Sequence, residues 1–228
     1  MPFIGQTPTP SARDLVYAKL REQILSLELP PGTALSEKES SLRFNVSRTP
    51  VRESFLRLAQ EGLVQVLPQR GTFVSLIDPE LVEEARFMRE HLEKAVIRLA
   101  CEKFPEEKLA ELEANLREQR ACIEREDHRR LFELDEGFHR TLFEGCGKLN
   151  TWSVIQQMNV HLNRSRLLRL VTDHRWDHLY EHHERMTAAI RGRDADAAER
   201  LMKEHLHLSV EDQPLLQEKF PHYFKQGE

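Results

Sequence analysis

Ser47-Arg48-Thr49-Pro50-Val51-Arg52-Glu53 is the stretch of this 228-residue chain on which the reading of its fold turns. Ser47 has the type of an N-cap, and Pro50 falls in the first turn, where a missing N–H costs little, so a helix begins here. Val51, Phe55 and Leu58 give that helix one apolar stripe, and Gly62 ends it. Upstream, Ser36-Glu37-Lys38-Glu39 is a capping box opening a short helix that closes near Phe44, with a tight turn at Asn45-Val46. Further back, Val16, Leu20, Ile24 and Leu27 recur at helical spacing until Pro30-Pro31-Gly32 stops them. Downstream, Leu63 to Leu67 and Thr72 to Leu76 flank Pro68-Gln69-Arg70-Gly71, a hairpin signal. Three helices and a hairpin predict a winged helix-turn-helix.

The same stretch carries chemistry. Arg48 and Arg52, four residues apart, leave one flank of the helix, at the end that enters the major groove in helix-turn-helix proteins. Arginine bonds a phosphate or a guanine edge through two N–H groups, and Ser47 and Thr49 beside free helix-start N–H groups suit phosphate anchoring. Arg70 and Gln69 at the hairpin tip are placed to reach the neighbouring minor groove or backbone. Two solvated arginines on an amphipathic helix are the simpler alternative; the ordered set of capping box, turn, Ser/Arg-led helix and Gly-tipped hairpin argues against it.

From Asp78 onward the pattern is helical throughout, with Asp78-Pro79 as cap and first-turn proline. Six helices are expected, roughly over 79–102, 105–125, 127–144, 150–172, 174–191 and 194–210, punctuated by Pro105, Gly145-Cys146-Gly147, Asp173, Gly192 and Asp194. The fold class is therefore mostly α: an N-terminal winged helix-turn-helix followed by an all-α six-helix bundle. Charge divides the chain the same way. Residues 1–77 hold 9 Lys+Arg and 7 Asp+Glu, a balance of +2, and the remainder holds 24 and 31, a balance of −7. A basic first part suits a polyanion such as DNA.

No apolar run approaches the roughly 18 to 20 residues that span a bilayer, and the opening Met1-Pro2-Phe3-Ile4 lacks a signal peptide's basic flank, so a cytoplasmic protein without a membrane partner is expected. Cys101, Cys122 and Cys146 fit neither a disulfide framework nor a thiolate zinc site. Asp135 and His139 converge on one side of a helix, and His183 and His205 lie on the last two helices of the expected bundle. One Asp and three His form an N/O set suited to Zn, Ni, Mn, Fe or Co. A rival set exists: Glu136/His139 and Glu204/His207 both read Glu-x-x-His, the pair used by di-iron carboxylate oxidases. Otherwise no nucleophile triad, phosphate loop or activated cysteine is present, and no enzyme is expected.

Leu35-Ser36-Glu37-Lys38-Glu39, the 45–53 stretch, Leu58, Glu61-Gly62-Leu63-Val64 and Arg70-Gly71-Thr72-Phe73-Val74 closely resemble the GntR family of bacterial transcription regulators. The resemblance implies operator contacts by Lys38, Ser47, Arg48, Thr49, Arg52, Arg70 and Gly71. The sequence departs from the family at Lys38, where arginine is usual, and at Ser40-Ser41, where an apolar pair is usual; lysine keeps charge but loses the two-pronged geometry. Asp135-x-x-Phe138-His139, His183-x-x-Met186-x-x-Ala189-Ile190-x-Gly192-x-Asp194 and Met202-x-x-His205-Leu206 resemble the effector domain of the FadR-type branch, and six helices resemble its VanR-like subgroup. That implies Asp135, His139, His183 and His205 as ligands of a divalent metal ion, zinc first, with His182 and His207 outside the site.

Arg89-Glu90-His91-Leu92-Glu93 is similar to the branch's Arg-x-x-Leu-Glu, whose Arg faces the effector; an exposed Arg89 paired with Glu93 is the alternative. One Asp, three neutral His and a divalent ion keep about one positive charge, and Arg89 adds another, so a small carboxylate, by resemblance a sugar acid, is the expected effector. The expected layout is a flexible tail over 1–12, the DNA-binding domain over 13–77, the metal- and effector-binding domain over 78–213 and a tail over 214–228. The expected protein is a homodimeric repressor on double-stranded operator DNA.

Overall fold

The structure is a computed structural model that describes residues 11–172, 176–211 and 213–226. Most of the expected 1–12 tail, the expected break at Asp173 and the last two residues lie outside the described residues. The chain divides between Leu76 and Ile77 into two compact units.

The first unit contains α1 (Ala12–Leu25), β1 (Ala34–Leu35), α2 (Glu37–Phe44), α3 (Arg48–Gln60), β2 (Val64–Leu67) and β3 (Gly71–Val74). Ser36 Oγ accepts the Glu39 N–H at 3.3 Å, which starts α2, and Asn45 ends it in the left-handed region at φ 52°. Val51, Ser54, Phe55 and Leu58 form the buried face of α3. β2 and β3 pair antiparallel with Val64 opposite Val74 and Leu67 opposite Gly71. Gly71, at φ +109°, occupies backbone that side-chain-bearing residues rarely adopt. The two-residue β1 pairs with the other edge of β3, giving the order β1-β3-β2. Such a strand carries no alternation of its own; it exists because β3 is there to receive it.

The second unit contains α4 (Pro79–Glu102), α5 (Glu106–Glu124), α6 (His128–Gly145), α7 (Leu149–Met158), α8 (Val160–Thr172), α9 (Asp177–Gly192), α10 (Ala195–Glu211), α11 (Gln213–Lys219) and a 3-10 turn, Pro221–Tyr223. Asp78 caps α4 by accepting the Glu80 N–H at 3.1 Å. The expected count of six helices is corrected to eight among the described residues, for two reasons. Asn159 divides the expected 150–172 helix into α7 and α8, although Asn163 N–H still bonds Asn159 C=O at 2.7 Å, so the helical path continues through the joint. Pro214, which suggested the start of a tail, instead stands at the second position of α11, where its missing N–H is tolerated.

Residues 213–226 are thus no loose tail. Lys225 N–H bonds Ile77 C=O and Ile77 N–H bonds Tyr223 C=O, both at 2.8 Å, and Phe224 is buried. The main core joins Val96, Ile97, Leu112, Phe138, Met186 and Met202 from five helices. α8 runs through the interior, buried at every position from Val160 to Leu168, and packs on α4, α6, α7 and α11. Gly145 admits the Phe104 ring at the end of α6, because a Cβ there would stand 2.2 Å from it. Among the described residues no helix is long and apolar enough to cross a membrane.

Candidate functional site

The four residues Asp135, His139, His183 and His205 are brought together in the second unit from α6, α9 and α10, all buried, with one ligand-type atom of each within 4.8 Å of the others. His139 Nε2 lies 3.1 Å from His205 Nε2, and Asp135 Oδ1 lies 3.7 Å from both His183 Nε2 and His205 Nε2. The second ring nitrogens explain which lone pairs point inward. His183 Nδ1 is 2.9 Å from Gln119 Oε1, which only accepts, so the proton sits on Nδ1 and Nε2 presents a lone pair. His139 Nδ1 lies against Glu93 Oε2, which fixes the same tautomer. Gln119 is itself held, its Nε2 donating to Asn115 Oδ1 at 2.6 Å while Asn115 Nδ2 donates to Leu134 C=O at 2.9 Å.

Electrostatics favour the same protonation states. Burial pushes His183 down to about 3 and, with His183 and His139 as neighbours, pushes His205 well below the usual imidazole range, so both rings are neutral. Burial works to raise the Asp135 pKa, but the Arg166 guanidinium outweighs it and holds the carboxylate ionised. Glu93 behaves alike: burial works to raise it, and Arg89 overcomes burial and holds it at about 2. Asp135 Oδ1 and His183 Nε2 are buried with no hydrogen-bond partner among the described residues. Lone pairs converging without a proton or cation between them repel, and a divalent ion is what such a donor set accommodates.

Arg89 is fully buried, not an exposed partner of Glu93, although the pair exists: Arg89 Nε reaches Glu93 Oε1 at 2.5 Å and its Nη1 reaches Glu136 Oε1 at 3.5 Å. Arg89 Nη2 has no hydrogen-bond partner among the described residues. Arg166 of α8 bridges Asp135 and Glu136, the latter at 2.6 Å. The charge expected from sequence is corrected accordingly: Glu93 offsets Arg89 and Glu136 offsets Arg166, so Arg89 adds no net positive charge to the cluster.

In the first unit, Lys38, Ser47, Arg48, Thr49, Arg52, Arg70 and Gly71 are all exposed. Ser47 makes no side-chain cap bond, which leaves its hydroxyl available. The arginines divide into two groups. Arg13, Arg21, Arg43 and Arg57 are paired with acids of the same unit, whereas no ion pair forms on Lys38, Arg48, Arg52 or Arg70 among the described residues. Cations left without internal partners on α2, on α3 and at the hairpin tip are available to an external anion.

Comparison with known proteins agrees. The profile of bacterial regulatory proteins of the gntR family matches residues 12–74, and the FCD domain matches residues 84–208. The chain is 39% identical over 199 residues to the transcriptional repressor RspR of Escherichia coli, covering 87% of each chain. It is 37% identical over 222 residues to an HTH-type transcriptional regulator of Streptomyces ambofaciens, covering 97% of this chain and 93% of that one. The chain belongs to the GntR family. A crystal structure of a GntR regulator from Rhodococcus, 26% identical, superposes with a TM-score of 0.72 over 89% of this chain and 97% of that one.

This GntR protein is accordingly a DNA-binding transcription regulator and not an enzyme. The di-iron alternative is corrected by geometry as well: Glu204 and His207 are exposed, and Glu136 is engaged by Arg89 and Arg166. The residues missed in the sequence are Gln119, Arg166, Glu93 as a neighbour of His139 rather than of Arg89 alone, and Glu136 in its observed role. Glu93 was legible inside Arg-x-x-Leu-Glu. Gln119 is marked in the sequence only as a polar residue on the apolar face of α5, and Arg166 carries no mark, because α8 is buried all round and mixes polar with apolar residues.

Proposed function

We propose that this GntR regulator is a cytoplasmic repressor that binds a two-fold related operator as a homodimer and releases it in response to a small carboxylate. Lys38, Ser47, Arg48, Thr49, Arg52, Arg70 and Gly71 contact double-stranded DNA in this reading. Asp135, His139, His183 and His205 hold one divalent metal ion, zinc first and Ni, Mn, Fe or Co as alternatives, which supplies a Lewis-acidic position for an effector oxygen. Arg89 takes another part of the anion.

The observation that carries the reading is the buried set of four converging ligand atoms beside an arginine whose Nη2 lacks a partner. A divalent ion brings the summed charge of Asp135, Glu136, Glu93, Arg89 and Arg166 from one net negative to one net positive, so an anion is the fitting guest. An effector can shift operator affinity only through its differential affinity for two arrangements of the protein, typically about 1–3 kcal/mol.

Elemental analysis of purified protein, with operator titrations in the presence of a carboxylate panel before and after a chelator, is the test. One ion per chain, and loss of the carboxylate effect on chelation with nonspecific DNA binding intact, is expected. Undiminished carboxylate binding to metal-free protein, or to Arg89→Ala, would show the site to be misplaced.

A further inference from the structure

α7 and α8 place a polar stripe inside the second unit. Gln156, Asn159, Asn163 and Arg166 are spaced by three, four and three residues, so they share one face of a helical path that the Asn163 N–H to Asn159 C=O bond keeps continuous across the joint. Three of the four converge on one acceptor. Gln156 Nε2, Asn163 Nδ2 and Arg166 Nη1 reach the Glu136 carboxylate at 2.7, 3.4 and 2.6 Å. The same Arg166 touches Asp135, so this stripe borders the four-residue cluster.

Asn159, between Gln156 and Asn163, is different. It is 0% exposed, yet neither its Nδ2 nor its Oδ1 has a hydrogen-bond partner among the described residues. A buried amide with both ends unmade destabilises the fold, whereas an apolar residue of like size there would not. Such a group persists where something outside the protein completes it.

We propose that Asn159, flanked by Gln156 and Asn163, is a ligand-reading position: it takes a neutral group that both donates and accepts, a hydroxyl or a primary amide, on the far end of the carboxylate effector. This rests on the effector reading above and deepens it. An amide offers one donor and one acceptor side by side, which a hydroxyl or another amide matches and an alkyl chain does not. Glu136, already saturated by donors, makes a second anionic end unfavourable at this stripe, so a monocarboxylate with a neutral polar end fits better than a dicarboxylate.

The test uses the full-length, zinc-loaded protein and calorimetric titration with matched acids: pentonates and hexonates against pentanoate and hexanoate, and succinamate against butyrate. At least one hydroxylated or amide-bearing acid is expected to bind roughly tenfold tighter than its alkyl counterpart. Asn159→Leu should erase that preference while leaving alkyl-acid binding and metal content unchanged, and the ligand-free variant should melt higher than wild type. Asn159→Ala, which adds no bulk, is the companion should leucine not be accommodated. Preference for hydroxyls separates from preference for amides by which pair shows the gain. A preference that survives in both variants, equal binding of polar and alkyl acids to wild type, or a lower melting temperature in both ligand-free variants would each overturn the role of Asn159. In those cases carboxylate binding persists and the effector reading stands; no binding by any acid would overturn both.

Discussion

Replacing Gln119 by Met keeps volume in a fully buried position and removes the acceptor that holds His183 Nδ1–H at 2.9 Å, together with the donor that reaches Asn115 Oδ1 at 2.6 Å. The consequence differs between metal-free and metal-loaded protein. Without metal, His183 is free to move its proton to Nε2, which faces Asp135 Oδ1 at 3.7 Å, an anion that welcomes an N–H. The apo protein then loses the two hydrogen bonds of Gln119, about 2 kcal/mol. With metal, Nε2 must keep its lone pair, so the tautomer cannot relax. Loss of a hydrogen-bond partner behind a metal-ligating His typically lowers affinity by about 10- to 100-fold.

At zinc set to about 100 times the wild-type Kd, wild type gains about 2.7 kcal/mol, and the same zinc gives the variant about 0.4–1.4 kcal/mol. For a chain of this size each kcal/mol moves Tm by about 2–4 °C, so zinc protection should fall from about 5–11 °C to about 1–6 °C. Chelator-competition titration gives the affinity, and thermal melts with and without zinc give the protection. Gln119→Glu restores the acceptor for His183, but not the donor to Asn115, and should restore zinc affinity. If Gln119→Met binds zinc as wild type does, the tautomer argument is wrong.

Arg52→Ala is expected to cost operator binding about 1–3 kcal/mol, while Lys38→Ala weakens all sequences alike and lowers the salt slope by about one unit; gel shifts at two salt concentrations separate them, and unchanged operator affinity in both would refute the assignment. His161 Nδ1 accepts the Asp78 N–H at 3.0 Å, and burial, then Arg164, push its pKa down to about 4, so the unfolded chain binds the proton first. Its contribution is therefore complete above the ordinary histidine range and is lost as pH falls from about 6.5 to about 4, about 3 kcal/mol in all; urea unfolding of the protein and of His161→Gln at pH 7 and pH 5 checks this, since equal slopes with pH in the two proteins would contradict it.

Local chemistry in the chain determined the first unit and the positions of most helices. A cap bond such as Ser36 to Glu39 or Asp78 to Glu80 closes within three residues, and the apolar stripe of α3 is a property of spacing alone, so each can be read without a partner. The four converging side chains were legible as residue types and, by family resemblance, as a set; the contacts among α6, α9 and α10 brought them together. Tertiary structure decided the rest. β1 needs β3, the 213–226 segment needs Ile77, and the joint at Asn159 appears only where α7 and α8 meet the interior. The partners that tune the site, Gln119 for His183 and Arg166 for Asp135, stand 64 and 31 residues away along the chain, and no periodicity connects them. A sequence shows which side chains are able to bond; which of them lose water together, and so must find one another, is fixed only by packing.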